Sequence, residues 1–455
     1  MHRSQRRENA RLLDRDHRLV SVGMIALVAL AAFEAMAVTS AMPAVAEALD
    51  GLTLYQLTFA LPLATAIVGM AAGGGLSDRH GPETALVGGV IVFATGLIAA
   101  GTAPTMAVLA IGRGVQGFGS GALIVALYVV VAQQFTPNLQ PRVFAAFAGA
   151  WVLPALIGPA VAGLMVDHIG WRWVFLSVPI LAVVALLLLL PTLRRRPVRT
   201  EKQPYDDATA IRILWSLVAA AAATALHLVG SASFPMNIVY ATAGAAGLVI
   251  SVPRLLPTGS LRIRAGLPAV IATRGIISGA FISAEVLIPL VLNRERGLSP
   301  GTAGLALTAA AVAWSAGSWW QGREAVSTPR WRIGLYGMLF VATGIASSAL
   351  VAFSVVPVYA ALLTWALSGL GMGMVMPTLT LLTLAASAAG DEGRNSSALQ
   401  ISDALASTVA LAVTGTVFLA LIDVGGVLAY LVGFGAAAGL AAFGASRAHR
   451  MAAAD

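Results

Sequence analysis

Long apolar runs separated by short charged patches are the feature that most constrains this chain. Many runs reach about 18 to 27 residues, the length that a helix needs to cross the ~30 Å hydrocarbon layer of a membrane. Hydrophobic residues make up 58% of the chain and charged residues only 11%, which excludes a water-soluble globular domain. The 47 glycines allow membrane helices to approach one another closely. The sequence therefore predicts an all-α polytopic membrane protein.

Apolar windows between the charged patches predict fourteen transmembrane (TM) helices. Their predicted ranges are 20–44, 55–77, 84–101, 106–133, 141–166, 172–192, 211–230, 236–252, 266–292, 301–321, 332–353, 356–386, 397–421 and 424–445.

The distribution of basic residues predicts the orientation of these helices. If the N-terminus is cytoplasmic, all but five of the 28 Lys and Arg residues fall in cytoplasmic segments. The exceptions are Arg113, Arg172, Arg274, Arg294 and Arg296. We therefore expect a multi-pass protein of the cell membrane, inner or plasma, with both termini in the cytoplasm.

Several function classes are disfavoured by what the sequence lacks. The net charge of +8 comes from patches between hydrophobic segments, so no continuous basic face is available for nucleic acid. Cysteine is absent, which excludes disulfides and thiolate sites. No catalytic serine elbow, metal-binding histidine pair or phosphate-cradling loop is found. We predict a protein that is not an enzyme and that holds neither a metal ion nor a cofactor.

An internal repeat links the two ends of the chain. The glycine triplet in 117–121 recurs in 369–373, and Arg142 recurs as Arg394, both with an offset of 252 residues. Parallel repeats of this kind are typical of a large transporter class. The predicted segments are a basic cytoplasmic N-terminus (1–19), a six-helix bundle (20–195), a linker with two additional helices (196–265), a second six-helix bundle (266–446) and a cytoplasmic tail (447–455).

The loop between the second and third predicted helices carries a recognisable motif. Residues 74–81 read Gly-Gly-Leu-Ser-Asp-Arg-His-Gly, which resembles the signature loop of the major facilitator superfamily. An aspartate here can cap a helix N-terminus and pair with arginines, acting as a conformational latch. The latch residues are predicted to be Gly74, Asp78, Arg79 and Gly81. Pro82 and Glu83 depart from the family pattern, which usually has two basic residues there, and an ordinary polar turn is the alternative interpretation.

Two further motifs indicate proton coupling. Residues 113–117 read Arg-Gly-Val-Gln-Gly, similar to a motif of proton-coupled members of the family, in which the arginine assists proton transfer at a nearby carboxylate. Glu34 lies nine residues before Pro43, a spacing found in fourteen-helix exporters of the family. A glutamate inside a membrane helix is a candidate proton carrier. A structural glutamate paired permanently with Arg113 is the alternative.

A second carboxylate is predicted to join this pair. Counted at about 1.5 Å per residue, Glu34, Arg113 and Glu285 fall roughly 10 to 14 Å below the outer boundary, so they could converge on one cavity. Two acids would favour a cationic substrate and repel each other. Asp403 is a candidate cytoplasmic proton exit or a simple polar contact, and Arg274 is equally ambiguous.

The fifth predicted helix is similar to a motif of drug/proton antiporters of the superfamily, in which glycine and proline bend the helix. A kink with no bearing on export is the alternative. The residues expected to line the substrate cavity or bend helices are Gln116, Gly117, Trp151, Pro154, Gly158, Pro159 and Gly163.

The combined resemblance implies a fourteen-helix drug/proton antiporter, with two six-helix bundles and two additional helices between them. Its expected function is proton-coupled export of small amphipathic compounds by alternating access, with cationic compounds as candidate substrates and the proton gradient as the energy source. The expected partners are the substrate, protons and membrane lipids, and a monomer is expected to function. An uptake transporter or facilitator for a metabolite, or a lipid exporter, would share the fold.

Overall fold

The computed structural model describes residues 17–195, 207–229, 232–298, 300–324, 328–422 and 425–455. These ranges contain fifteen α-helices, a few short 3-10 helices and no β-strand. Residues 1–16 of the predicted basic N-terminus and residues 196–206 of the predicted linker lie outside the described residues.

The chain divides into two compact units, of which the first comprises Met1–Leu255 and Ser387–Ile401. In its described part, α1 packs against α5 and α6, and α2 and α3 both pack against α4. Its helices are α1 (Arg18–Ala48), α2 (Tyr55–His80), α3 (Pro82–Gly101), α4 (Met106–Gln134), α5 (Gln140–Ile169), α6 (Arg172–Arg195), α7 (Asp207–Leu228) and α8 (Met236–Leu255).

The second unit comprises Leu256–Ala386 and Ser402–Asp455. Here α11 and α12 pack against α13, and α15 packs against α9 and α12. The helices are α9 (Leu267–Glu285), α10 (Leu287–Arg294), α11 (Pro300–Glu324), α12 (Arg330–Ser348), α13 (Ala360–Ala385) and α15 (Gly426–Ser446). Helix α14 (Glu392–Ile422) begins in the first unit and continues into the second.

The predicted all-α membrane fold is confirmed. Among the described residues, thirteen helical segments are long and apolar enough to cross a membrane, with α9 and α10 counted as one segment. The remaining predicted span corresponds to α11, which has 25 residues but carries three tryptophans and ends in Gln-Gly-Arg-Glu. All fourteen predicted spans therefore coincide with helices.

Two of the predicted spans differ from the structure in detail. The ninth, predicted as one helix over 266–292, is interrupted at Val286. Pro289 is the reason, because it has no N–H to donate to the carbonyl oxygen of Glu285 four residues earlier. The twelfth was predicted from 356, but α13 begins at Ala360, three residues after Pro357.

The repeated glycines of α4 and α13 occupy equivalent packing positions. An added Cβ at any of the six would overlap the backbone of a neighbouring helix, so the helices touch backbone to backbone. The glycines of the two halves are 252 residues apart, and the residues that they contact are 248 residues apart. The pairs are Gly117 with Pro62, Gly119 with Phe93, Gly121 with Ala66, Gly369 with Ala310, Gly371 with Val341, and Gly373 with Trp314.

The two additional helices pack against each other, and α7 packs on α2. Ala220 of α7 joins Ala64 and Val68 of α2 in a small apolar core. Nearer the end of α2, a Cβ on Gly75 would lie 2.5 Å from Cγ2 of Thr209. Helix α7 therefore follows α2 closely up to the segment that carries the signature loop. The predicted segment boundaries stay a prediction.

Two single glycine-to-alanine variants, one at a contact and one away from it, test the backbone contacts. Gly373→Ala should lower the stability of the protein by about 1–3 kcal/mol, because α11 must move away from α13. Gly435→Ala in α15 is the matched control, since a Cβ there meets no atom within 4 Å and alanine is the better helix former. Thermal unfolding in detergent measures both variants. Equal melting temperatures would contradict the packing described here.

Candidate functional site

A buried ion pair joins α1 to α4 in the first unit. Arg113 Nη1 donates to Glu34 Oε1, and the side chains are only 8% and 5% exposed. The same Nη1 atom donates to Gln116 Oε1 at 2.8 Å, and Gln116 Nε2 donates to Glu34 Oε2 at 3.1 Å. Arg113 Nε also donates to the carbonyl oxygen of Thr58 on α2 at 3.4 Å. Carboxylate, guanidinium and amide thus close a ring of hydrogen bonds.

The spacing of the sequence accounts for this ring. Arg113 and Gln116 are three residues apart on α4, so they face the same side of the helix. Both carboxylate oxygens of Glu34 accept a hydrogen bond, so the buried charge is paired and solvated by protein groups. Glu34 would pair with Arg113 both as a proton carrier and as a permanent structural partner. The geometry therefore agrees with both interpretations.

Glu285 lies at the end of α9, in the second unit, next to the helix break. Its side chain is half-buried, and among the described residues no donor is bonded to it. Because it belongs to the other unit, its predicted convergence with Glu34 and Arg113 stays a prediction.

An aromatic cluster that was not predicted lies one turn from Glu285. Phe281 stacks on Trp365 with a centroid distance of 4.8 Å and meets Trp314 edge to face at 5.5 Å. Trp365 is fully buried, and among the described residues its Nε1 has no acceptor. Trp365 follows Arg113 by 252 residues, so the repeat offset was a signal that could have singled it out.

Asp403 and Arg274 form a second ion pair, within the second unit. Arg274 Nε and Nη2 donate to Asp403 Oδ2 at 2.9 and 2.7 Å, and Nη1 donates to the carbonyl oxygen of Met376 at 3.1 Å. The arginine side chain is 8% exposed and the aspartate 27%. The sequence left the roles of both residues open, and it did not predict that they pair. The role of Asp403 in proton exit stays a prediction.

The signature loop places Asp78 against the start of α14. The backbone N–H groups of Gly393 and Arg394 donate to Asp78 Oδ1 and Oδ2 at 2.6 and 2.7 Å. Gly74, one turn earlier on α2, allows the approach, since a Cβ there would lie 2.6 Å from the carbonyl oxygen of Gly393. Asp78 therefore caps the first turn of α14, at the positive end of the helix dipole.

The rest of the loop serves the turn between α2 and α3. Arg79 lies in the last turn of α2. Gly81 has φ +86°, a conformation that favours glycine, and Pro82 takes the first position of α3. The reversal of the chain is therefore fixed by two residues.

The residues predicted to line the cavity or bend helices fall into different environments. Gln116 belongs to the hydrogen-bonded ring, and Gly117 lies against the backbone of Pro62 on α2. On α5, Pro154 and Gly158 are buried, whereas Trp151 and Pro159 are exposed.

Helix α5 contacts α1 at Gly158, where a Cβ would lie 3.3 Å from Cβ of Met36. Gly163 faces open space. Gly158 therefore lies at the contact between α5 and α1, and the predicted cavity roles stay predictions.

Taken together, an all-helical fold of apolar helices with ion pairs buried between them defines a multi-pass membrane protein. The chain matches the Major Facilitator Superfamily over residues 24–411. It therefore belongs to the major facilitator superfamily, a family of transporters and not of enzymes.

Curated relatives and solved structures agree with this assignment. The chain is 27% identical over 304 residues to multidrug resistance protein 3 of Bacillus subtilis, a match covering 64% of this chain and 58% of that protein. It is 23% identical to the multidrug efflux pump SdrM of Staphylococcus aureus, covering 64% and 66%. These matches span about three-fifths to two-thirds of the length of the relatives.

Solved structures share the fold at low sequence identity. The human organic anion transporter MFSD10 has a TM-score of 0.72 at 13% identity, covering 96% of this chain and 100% of that chain. The proton:xylose symporter XylE has a TM-score of 0.66 at 16% identity, covering 93% and 94%.

Removing one partner of the buried pair should destabilise the protein. Arg113→Ala leaves the Glu34 carboxylate without its cation and should lower the free energy of unfolding by about 3–5 kcal/mol. The double variant Glu34→Ala/Arg113→Ala should lose less than the sum of the single variants. Denaturation in detergent measures all three.

The control for this prediction is Arg142→Ala, which removes an exposed arginine from α5 and should stay within about 0.5 kcal/mol of the parent. Strict additivity of the Glu34 and Arg113 variants would show that the pair contributes no coupling energy.

Proposed function

We propose that this protein is a proton-coupled secondary active transporter that exports small amphipathic, cationic compounds. The observation that carries the proposal is the buried ring of Glu34, Arg113 and Gln116 inside membrane helices of the first unit. Ionised groups in this environment are expensive, and in membrane proteins they mark ion and substrate pathways. The multidrug relatives from Bacillus subtilis and Staphylococcus aureus support export as the direction.

Protonation of Glu34 is the proposed coupling step. A proton on this carboxylate removes its negative charge and leaves Arg113 with only neutral acceptors, the Gln116 amide and the Thr58 carbonyl group. The attraction between α1 and α4 then weakens, and their packing can change. The protonated and the ionised forms of Glu34 therefore favour different packings of α1 against α4, which links proton entry to substrate export.

Glu285 is the proposed recognition group for the positive charge of the substrate. Among the described residues it carries no bonded donor, and Phe281, one turn away, begins an aromatic cluster with Trp314 and Trp365. A carboxylate beside aromatic rings suits an amphipathic cation, since charge attraction and apolar contact act on the same molecule.

Asp78 is the proposed latch of the transport cycle. Its two hydrogen bonds hold the first turn of α14, and α14 continues from the first unit into the second. Release of that turn would free the helix to move, as alternating access requires.

The proposed location is the cell membrane. The protein would reside in the cell membrane with both termini in the cytoplasm, as the arginine distribution favours. Its partners would be the substrate, protons and lipids, and the proton gradient would supply the energy in place of a cofactor. A monomer would be sufficient.

Glu34→Gln should abolish transport driven by a pH gradient, because the amide cannot exchange a proton. The measurement is the movement of a cationic dye in proteoliposomes with an imposed pH gradient, together with thermal unfolding to show that the variant folds. Glu47→Gln makes the same change at an exposed position of α1 and should transport like the parent. Unchanged pH-driven transport by Glu34→Gln would reject Glu34 as the carrier, and inward accumulation by the parent would reject export.

Glu285→Gln should separate charge recognition from coupling. Transport of a cationic dye should fall about tenfold, the effect of losing one charge-assisted contact, while a neutral amphipathic compound should still be exported along the pH gradient. Glu295→Gln, after the end of α10, is the matched control. Equal losses for the cationic and the neutral compound would reject Glu285 as the recognition group.

A further inference from the structure

The additional helix α7 places an arginine beside the latch. Arg212 Nη2 donates to the backbone carbonyl oxygen of Arg394 at 3.3 Å. Arg394 is the residue whose N–H is held by Asp78, so its peptide groups are contacted by both α2 and α7. Thr209, one turn before Arg212, lies against Gly75 of α2. The first turn of α14 is thus held from two sides.

The first turn of α14 lies among several acidic side chains. Three carboxylates, those of Asp78, Asp391 and Glu392, lie close enough to interact electrostatically. Their mutual repulsion opposes the capping of α14 by Asp78. Arg394 Nη2 is bonded to Asp391 at 3.0 Å and neutralises part of this charge.

Arg212 supplies a further positive charge. Its guanidinium is repelled by the neighbouring Arg394 side chain and attracted by the carboxylates of Asp78 and Asp391. The loop offers no cation directly after its turn, since Gly81 is followed by Pro82 and Glu83. The position of Arg212 is itself fixed by the apolar contacts of α7 with α2, which bring Ile213 next to the Ala64, Val68 and Ala220 core.

We infer that Arg212 is a positioning residue of the conformational latch, and that the additional helix pair contributes to the transport cycle by delivering this arginine to the start of α14. The inference rests on the proposed latch role of Asp78. It gives α7 a part in conformational control: Arg212 stabilises the state in which α14 is capped, and loss of Arg212 shifts the equilibrium towards the uncapped state.

Ser397 offers a direct report on the capped state. It lies one turn after Gly393, it is 0% exposed, and among the described residues its hydroxyl group has no partner. The chain contains no cysteine, so Ser397→Cys introduces a single thiol of similar size without breaking a hydrogen bond. Its rate of reaction with a water-soluble maleimide should be low while α14 is capped and should rise when the first turn is released.

The experiment compares Arg212→Ala with Asp78→Ala in the Ser397→Cys protein. Loss of Asp78 should raise the labelling rate about tenfold or more, and loss of Arg212 about threefold or more, because its single hydrogen bond is longer. Arg212→Lys keeps the charge and should restore much of the protection. The double variant should exceed Asp78→Ala by less than the factor seen for Arg212→Ala alone, since both residues act on the same turn.

Arg254→Ala is the matched control, since Arg254 belongs to the same helix pair but lies over Trp215 and not at the latch. It should leave the labelling rate unchanged. Equal rises for Arg254→Ala and Arg212→Ala, or no rise for Arg212→Ala, would overturn the inference while the latch stands. No rise for Asp78→Ala would reject the latch itself. Thermal unfolding of each variant separates local release from general loss of fold.

Discussion

The pairing of charges inside membrane helices is the constraint on which the rest of this structure depends. Hydrocarbon provides no hydrogen bonds, so each ionised side chain at that depth must find its partners within the protein. Glu34 meets this demand with Arg113 and Gln116, and Asp403 meets it with Arg274. Each pair fixes two helices relative to one another, because displacement of either helix would leave a buried charge unpaired.

Much of the fold could be predicted from the sequence because membrane helices leave a strong signal. Fourteen apolar spans were found, and the glycine repeat of 117–121 and 369–373 corresponds to equivalent contacts in α4 and α13. The errors occurred at prolines. Pro289 ends α9 early, and α13 starts only after Pro357, since hydropathy alone does not register a missing N–H donor.

The candidate site was predictable only in part. Glu34 and Arg113 are distinguished by being polar where polarity is costly, and Asp78 belongs to the signature loop, so the sequence could single them out. Their partners could not be chosen in the same way. The acceptors of Arg274 and the N–H groups that bind Asp78 come from segments that are distant in the sequence. Finding them requires knowing which helices pack together, and a single sequence does not show this. Trp365 is apolar in an apolar helix, so its offset of 252 residues from Arg113 is the signal that distinguishes it.

Backbone-to-backbone packing has a consequence for how such a protein can move. Where Gly119, Gly121 and their repeats meet adjoining helices, no flexible side chains lie between the backbones to absorb a shift. Two groups of helices are therefore expected to move as rigid bodies. One group is α2, α3 and α4, and the other is α11, α12 and α13. Bending is easier in helices that lack some of their internal hydrogen bonds. These are the interrupted α9–α10 segment and α5, which contains Pro154 and Pro159. The segments that can bend are thereby distinct from the helices whose backbones are in direct contact.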